Sequence, residues 1–497
     1  MSRPGGALQV TDFILNDRLV ATEAHPGTVA VDLIRREFGL VGTKIGCREG
    51  DCGACTVLLG ELDGDRVSYR AVPSCLLPVG ELNGKHVVTI EGFNGDGLNP
   101  IQQAMVDEGA TQCGFCTPGF VMSMTGFLLT SPTLSMNDAE ASIEGNICRC
   151  TGYVSIVRAV GRMLEGLGND VRRDENAVPD ERVPELVRAG ALPSFFVDAH
   201  VRLAKIAEGT TENVDSADDG SARATGVGQG PATLVAGGTD LFVQRPEELR
   251  RAKLAFLSRR PGLAGVSSDG ETVTIGAATR VETLRQDVAL REALPGWSHT
   301  LQLISSGLVR NSATVGGNIV NASPIADLTI IFLALGATLV IEEGNGARRV
   351  PLASFFRGYK VLDLEPGEVV AAVRFPVPAE NARFNFEKVS RRGHLDIAGV
   401  NSAALIEAEG MKVGRASLSA GGVACVPLYL EKASARLGGA TLTAELVAEV
   451  ADIALSEIDP ITDVRGSAEY RRRLTRRLVI AHFVELFPEL SLEALVA

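Results

Sequence analysis

Residues 47–56 read CREGDCGACT, with three cysteines in nine positions and glycines set among them. Cys47, Cys52 and Cys55 are followed, after nineteen further residues, by Cys75. Four thiolates at this spacing match the plant-type ligand pattern for one [2Fe-2S] cluster. A cluster anion held by anionic thiolates asks for backbone N–H groups turned inward. Gly46, Gly50 and Gly53 are expected to supply the backbone angles that curl a chain around sulfur. Zinc knuckles and ribbons favour two short-spaced cysteine pairs, and a triple with one distant partner suits them poorly.

The 497-residue chain has nine cysteines, and the first eight fall within its first 150 residues, the ninth being Cys425. An odd, clustered set favours metal ligation over a disulfide framework. Cys113 and Cys116 stand in QCGFCTPG, and after thirty-one residues Cys148 and Cys150 form CRC. Both pairs are expected at helix starts, where unpaired N–H groups and the helix dipole favour a bound anion. On spacing alone this second set suits another cluster, a zinc ion or a redox pair. Cys425, between apolar residues, reads as a buried structural cysteine.

Hydrophobic residues make up 45% and charged residues 22% of the chain, the balance of a soluble globular protein. No apolar run is long enough to span a bilayer, and the first residues lack a basic-then-apolar leader, so a cytoplasmic location is expected. A net charge of -13 without a basic stripe argues against nucleic acid. The length implies three or four domains.

Residues 7–90 read as short strands around one helix, TVAVDLIRREFG, and residues 99–168 as four helical segments. The charged, proline-containing stretch 169–190 reads as a linker, and 208–231 as a polar insertion. Gly226, Gly228 and Gly230 do not fit the dinucleotide fingerprint, and that stretch is expected to be a flexible loop. Strands and helices alternate afterwards, with a division near Phe384. LVAGGTDL at 234–241 reads as a strand entering a glycine turn. The N–H groups of Gly237, Gly238, Thr239 and Asp240 suit a pyrophosphate, although such a turn needs no ligand to exist. RNSATVGGNIVNASPIADL at 310–328 is a small-residue loop suited to a large ligand or to a tight turn. The arginines of PITDVRGSAEYRRRLTRRLV, at 460–479, read as a solvated helix face. Six histidines show no paired spacing, and no hydrolytic triad suggests itself.

CREGDCGACT with Cys75, QCGFCTPG and GNICRCTGY together resemble the iron-sulfur half of the xanthine dehydrogenase and aldehyde oxidase family of molybdenum hydroxylases. LVAGGTDL followed by residues 310–328 resembles the FAD-binding domain of the same family. The resemblance implies an α+β multidomain chain. A β-grasp ferredoxin-like domain at 1–92 would hold one [2Fe-2S] cluster on Cys47, Cys52, Cys55 and Cys75. A four-helix domain at 93–168 would hold a second on Cys113, Cys116, Cys148 and Cys150. After the linker, it implies an α+β FAD-binding domain of the PCMH type at 191–380 and a small α/β C-terminal flavoprotein domain at 381–497.

The same resemblance places the FAD pyrophosphate on Leu234, Val235, Ala236, Gly237, Gly238, Thr239, Asp240 and Leu241. It sets Thr314, Gly317, Asn318 and Asp327 at the flavin and its ribityl chain, with Val370 and Lys388 closing the site. Gln112 would face molybdopterin held by another chain, and Tyr359 the nicotinamide side of the flavin. Ile304 stands where animal relatives carry a phenylalanine beside the isoalloxazine. The implied role is electron relay from the molybdenum centre of a molybdopterin-binding large subunit, through both clusters and FAD, to NAD or to oxygen. The implied assembly is a heterotetramer of two small and two large subunits, and no residue of this chain would perform hydroxylation. Alternative readings give the chain an aldehyde, carbon monoxide or aromatic-substrate partner, or make it a non-enzymatic redox sensor or assembly scaffold.

Overall fold

The alternating strands TDFIL (β1, Thr11–Leu15) and RLVAT (β2, Arg18–Thr22) are joined through Asn16, whose φ of 55° suits asparagine in a left-handed turn. The computed structural model describes residues 10–167, 182–211, 224–225, 232–344, 346–393 and 395–490. They fall into two units, Met1–Arg259 with Ser306–Ser312, and Arg260–Ser305 with Ala313–Ala497.

In the first unit, β3 (Thr56–Asp63), β4 (Arg66–Pro73) and β5 (His86–Val88) complete a five-stranded sheet of order β2-β1-β5-β3-β4. β1 runs parallel to β5, and the other pairs are antiparallel. Helix α1 (Ala30–Arg36) buries Leu33 and Ile34 against Phe13, Val57 and Val87. This is the small sheet packed on a helix that the strand pattern predicts, in the β-grasp arrangement that the resemblance implies. Four helices follow: α2 (Pro100–Asp107), α3 (Thr117–Thr130), α4 (Met136–Ile143) and α5 (Val154–Gly166). Asn99 and Gln102 cap α2 reciprocally. α3 is apolar all round and buried from Gly119 to Leu129, as befits the helix that lies on the sheet. At Gly126 a Cβ would come within 2.9 Å of the Ala71 side chain in β4.

Two expectations change here. The latter part of the expected linker forms a helix, Val183–Arg188, with Leu186 buried. Arg182 is also buried, donating to the carbonyls of Ser131 at 2.6 Å and Pro132 at 3.0 Å. Of the expected insertion, 208–211 ends the helix Ala199–Thr211, and Ala224–Thr225 forms β6 beside β8 (Leu254–Phe256). Gly226, Gly228 and Gly230, and residues 168–181, lie outside the described residues.

The second unit contains a sheet of order β12-β11-β15-β10-β9, built from Gly346–Pro351, Thr338–Glu343, Val369–Pro376, Thr272–Gly276 and Val266–Ser268 respectively. The buried apolar helix Asp327–Ala334 packs in this core. A second, antiparallel sheet joins β16 (Ala382–Val389), β17 (Val400–Glu409), β18 (Lys412–Gly421) and β19 (Leu428–Tyr429). Phe384 therefore lies within the first strand of this sheet. The helices Glu431–Leu437, Ala444–Glu457 and Ala468–Leu486 share its core.

Two further residues depart from their sequence reading. Cys425 is exposed, because it follows β18 in a surface turn and its apolar neighbours alone turn inward. Arg471 is buried: it donates to the carbonyls of Gly399 at 2.7 Å and Gly422 at 2.8 Å, and pairs with Asp463 at 2.6 Å. It braces three loops, whereas Arg472, Arg473 and Arg477 lie on the exposed face.

Gly119 of α3 has no room for a side chain, since its Cβ would stand 2.2 Å from the Gly53 carbonyl oxygen. Gly166 meets nothing within 4 Å. Gly119→Ala is expected to destabilise the protein by about 1–3 kcal/mol, and Gly166→Ala to be neutral or to stabilise it by about 0.5–1 kcal/mol. Denaturant unfolding followed by circular dichroism distinguishes the two.

Candidate functional site

The first cysteine loop runs from the end of α1 into β3. Gly50 and Gly53 take positive φ, 80° and 65°, as expected. Gly46 does not, and its constraint is space: a Cβ there would stand 2.8 Å from the Cys52 sulfur. Ser74 donates its N–H and its hydroxyl to the Cys55 carbonyl, at 3.2 and 2.6 Å, and thereby sets Cys75 beside Cys55. Cys47 is in hydrogen-bond contact with Cys52 and Cys75, and Cys75 also with Cys55. Cys55 and Cys75 are buried, Cys47 and Cys52 half-buried.

The contacts with Cys52 and Cys75, aided by the Glu49 N–H at 3.3 Å from sulfur, hold the Cys47 thiol well below its ordinary value. Cys75, which donates to Cys47 and Cys55 and is buried besides, is pushed far up. The four thiols therefore share protons as one set. Among the described residues no three His, Cys, Asp or Glu side chains converge as ligands of a single ion. A two-iron core asks for two thiolates on each iron, and contacting pairs are what the loop provides. The donor set and its glycine-lined cradle fit such a cluster.

The second set is assembled from two loops. Cys116 is the N-cap residue immediately before α3, and Cys113 lies just ahead of it, while Cys148 and Cys150 precede α5. The sulfurs of Cys113 and Cys150 are 3.6 Å apart. Gly152 and Tyr153 both take positive φ, and this reversal returns the Tyr153 hydroxyl to accept the Cys148 N–H at 3.0 Å. Burial raises the Cys148 thiol, but hydrogen bonds to the Thr151 side chain at 3.2 Å and the Cys150 N–H at 3.4 Å outweigh it, so that it lies below its ordinary value. Burial and the Cys148 contact push Cys116 up to about 12. Cys113 and Cys150 are exposed, and so is Gln112.

The two sets meet directly. The Ile147 N–H donates to the Cys52 carbonyl at 3.0 Å, and Asn146, which is buried, donates through Nδ2 to the Gly53 carbonyl at 3.1 Å. A Cβ at Gly53 would stand 2.4 Å from that Nδ2. Gly119 and Asn146 fall inside QCGFCTPG and GNICRCTGY, but cysteine spacing alone does not reveal that they join the two loops.

The unit boundary at Arg259 falls inside the span expected for the FAD-binding domain, and each glycine turn is described in its own unit. In the first unit, Thr233–Val235 (β7) runs parallel to β8 and ends in the turn at Ala236–Asp240. Gly238 has φ of 70°. The N–H groups of Gly238, Thr239 and Asp240 have no backbone acceptor among the described residues, an open donor set that suits a pyrophosphate. Leu234 is exposed, Val235 is buried, and Leu241 opens the short helix Leu241–Gln244.

In the second unit, Thr314 caps the helix Val315–Val320 by accepting the Gly317 N–H at 3.2 Å. The Gly316 N–H donates to Ala277 at 2.7 Å, and the Ala277 N–H to Ala371 at 2.8 Å, joining this turn to β15, the central strand of its sheet. A Cβ on Gly316 would stand 2.7 Å from that of Ala277. Val370, also in β15, packs its side chain into the apolar core, as does Ile304. Asn318 accepts from Thr329 at 2.9 Å. Tyr359 is 64% exposed at the tip of the hairpin β13 (Phe356–Gly358) and β14 (Val361–Leu362), and Lys360 beside it donates to Asn321.

Asp327 and Lys388, which the resemblance places at one site, meet at 2.7 Å. Lys388 also donates to the Leu303 carbonyl at 2.8 Å, and Asn401 donates to the second Asp327 oxygen at 2.5 Å. Burial raises the Asp327 carboxyl above its ordinary value against the pull of Lys388 and Asn401. A raised folded-state value means that the associated stability is full below the ordinary carboxylate range and is lost as pH rises through the raised value. Lys388→Met leaves the carboxylate unpaired and is expected to cost about 3–5 kcal/mol at neutral pH. The deficit should begin to shrink above the ordinary carboxylate range, as pH falls through the raised value, and should be smallest below that range. Asp327→Leu added to Lys388→Met should recover most of it. Denaturant unfolding at neutral pH and below the ordinary carboxylate range measures this.

Residues 13–80 match the 2Fe-2S iron-sulfur cluster binding domain family, and residues 89–161 the [2Fe-2S] binding domain family. Residues 216–378 match the FAD binding domain in molybdopterin dehydrogenase, and residues 385–486 the CO dehydrogenase flavoprotein C-terminal domain. Xanthine dehydrogenase/oxidase of Rattus norvegicus is 29% identical over 96% of this chain and 39% of its own length. Xanthine dehydrogenase of Drosophila subobscura is 28% identical over 100% of this chain and 41% of its own. The chain thus spans about two fifths of the length of these relatives. Among solved structures, carbon monoxide dehydrogenase from Hydrogenophaga pseudoflava, in a form lacking the Mo-pyranopterin moiety, has a chain that is 31% identical with a TM-score of 0.50. That match covers 52% of this chain and 90% of the other. With its two iron-sulfur modules and flavin modules in this order, the chain belongs to the molybdenum hydroxylase family, as an iron-sulfur and flavin portion of it.

Proposed function

We propose that this chain is the electron-transfer part of a xanthine dehydrogenase-type molybdenum hydroxylase, linking the molybdenum centre of a partner subunit to NAD. Cys47, Cys52, Cys55 and Cys75 would hold one [2Fe-2S] cluster, and Cys113, Cys116, Cys148 and Cys150 another. FAD would take its pyrophosphate from the Gly237–Asp240 turn and its remaining contacts from the turn at Thr314–Asn318 with Asp327, Val370 and Lys388. These groups supply the one-electron and hydride chemistry that side chains lack.

The observation that carries this reading is the direct hydrogen bonding of the two cysteine loops through Ile147, Asn146, Cys52 and Gly53. Fixed, short spacing is what relay between two redox centres requires. The chain's own residues enclose Cys55 and Cys75, donate N–H groups to sulfur, and leave Cys113, Cys150 and Gln112 at the surface. Around these lie the exposed Phe115, Tyr153 and Val154. That face would receive the molybdopterin-binding subunit, in a cytoplasmic heterotetramer of two small and two large subunits. Tyr359, exposed on its hairpin, would serve the nicotinamide side. A second reading keeps the relay and changes the partner's substrate from a purine to carbon monoxide, an aldehyde or another aromatic compound. The likeness to a carbon monoxide dehydrogenase chain favours keeping it.

Expressed without a partner, the chain should oxidise NADH with an artificial acceptor and should not hydroxylate xanthine. Cys148→Ser should remove about half of the bound iron and leave the NADH reaction to the artificial acceptor. Iron analysis beside that assay checks both, and unchanged iron would remove CRC from the ligand set.

A further inference from the structure

Arg48 stands in the first cysteine loop directly after Cys47, with φ of 61°. Glycine takes this left-handed conformation readily, as Gly50 and Gly53 do in the same loop, whereas a residue with a Cβ is strained there. An arginine kept in a position that suits glycine is held for its side chain. That side chain is clamped: its two terminal nitrogens donate to the two oxygens of Asp32, at 3.2 and 2.8 Å. Asp32, on the buried face of α1, is 4% exposed. The same carboxylate accepts Arg250 at 2.6 Å and lies 3.9 Å from Arg36.

One carboxylate thus faces three guanidinium groups. Arg48, Arg250, Cys47 and Cys75 line one cleft of about 390 Å³. Glu247, 3.1 Å from Arg250, and Glu49 border the same cleft, and Arg48 is the cation next to the first ligand cysteine in sequence. The charge of Arg48 acts on Cys75 and Cys55, while the charges acting on Asp32 are those of the three arginines. The clamped guanidinium and the Cys47 and Cys75 side chains therefore border one cleft.

We propose that Arg48, held by Asp32 and Arg250, is a tuning residue that raises the reduction potential of the cluster bound by Cys47, Cys52, Cys55 and Cys75. This rests on the ligand assignment made above. An added electron deepens the negative charge of the thiolate-held core, and a guanidinium fixed on a buried carboxylate stabilises that reduced form more than the oxidised one. Arginine does not deprotonate in proteins, so its contribution is constant with pH. The bidentate clamp keeps the charge from swinging into solvent.

Redox titration of the full chain, followed by the electron paramagnetic resonance of the two clusters, tests this with Arg48→Gly and Arg48→Lys. Arg48→Gly suits the local backbone and should keep full iron. It should move the first cluster's reduction equilibrium about tenfold toward the oxidised form, a potential lower by about 59 mV for one electron. The second cluster should not move, and Arg48→Lys should stay near the unaltered value. Arg250→Gln, outside the ligand loop, should shift the first cluster in the same direction by less, and it decides the matter if Arg48→Gly loses iron. An unshifted potential in an iron-replete Arg48→Gly protein, or in Arg250→Gln where Arg48→Gly loses iron, overturns the role of Arg48 alone. So does an Arg48→Lys value as low as that of glycine. If Cys75→Ser removes neither cluster signal, the ligand assignment falls and the tuning role falls with it.

Discussion

The Gly53 carbonyl is the point on which the first unit turns. It accepts the Thr56 N–H at 3.2 Å and the Thr56 hydroxyl at 2.6 Å from its own loop, and Asn146 Nδ2 at 3.1 Å from a segment far along the chain. One residue earlier, the Cys52 carbonyl accepts the Ile147 N–H. These bonds form because Gly53 and Gly119 present no side chain where the backbones approach. A methyl at either position would separate the loops. With the loops in contact, Cys52 and Cys148 are linked by a few atoms of backbone and one hydrogen bond. The apolar helix α3, which carries Gly119 and packs on the sheet, backs that junction.

Burial is graded across the two cysteine sets. Cys55 and Cys75 are enclosed, whereas Cys113 and Cys150 lie open at the surface. Exposure of a cluster site costs shielding from solvent, and it is useful only where another protein covers it. The exposed apolar residues beside Cys113 and Cys150 are consistent with a face that a partner completes. The Arg48 clamp lies at the opposite end of this gradient, with its carboxylate on the buried face of α1. The guanidinium itself is exposed, so its effect on sulfur rests on the fixed position that the buried carboxylate gives it.

Much of this organisation is legible in the residues themselves. The spacing of Cys47, Cys52, Cys55 and Cys75, the strand alternation of TDFIL and RLVAT, and the all-round apolarity of α3 each follow from local rules. What escapes the sequence depends on distant neighbours. Cys425 has apolar neighbours yet faces solvent, because burial of a turn is set by the elements beneath it. Arg471 looks like one of several helix-face arginines and is the one that three loops require. Asp32 sits in an amphipathic helix and reads as its polar face until Arg48 and Arg250 are seen around it. The meeting of Asp327 and Lys388 across 61 residues follows from the resemblance and not from any local pattern. The helix at Val183–Arg188 was hidden by a charged, proline-containing composition, since Pro184 falls in its first turn, where proline is tolerated.

The central claim is that the two cysteine loops are mated, so that two clusters sit at a short fixed separation. Electron paramagnetic resonance of the fully reduced chain measures this most directly, because two nearby unpaired spins split one another's signals. The account predicts two distinct [2Fe-2S] signals with mutual splitting, and loss of the splitting when Cys148→Ser removes one cluster. Two unsplit signals in the fully reduced protein would contradict it.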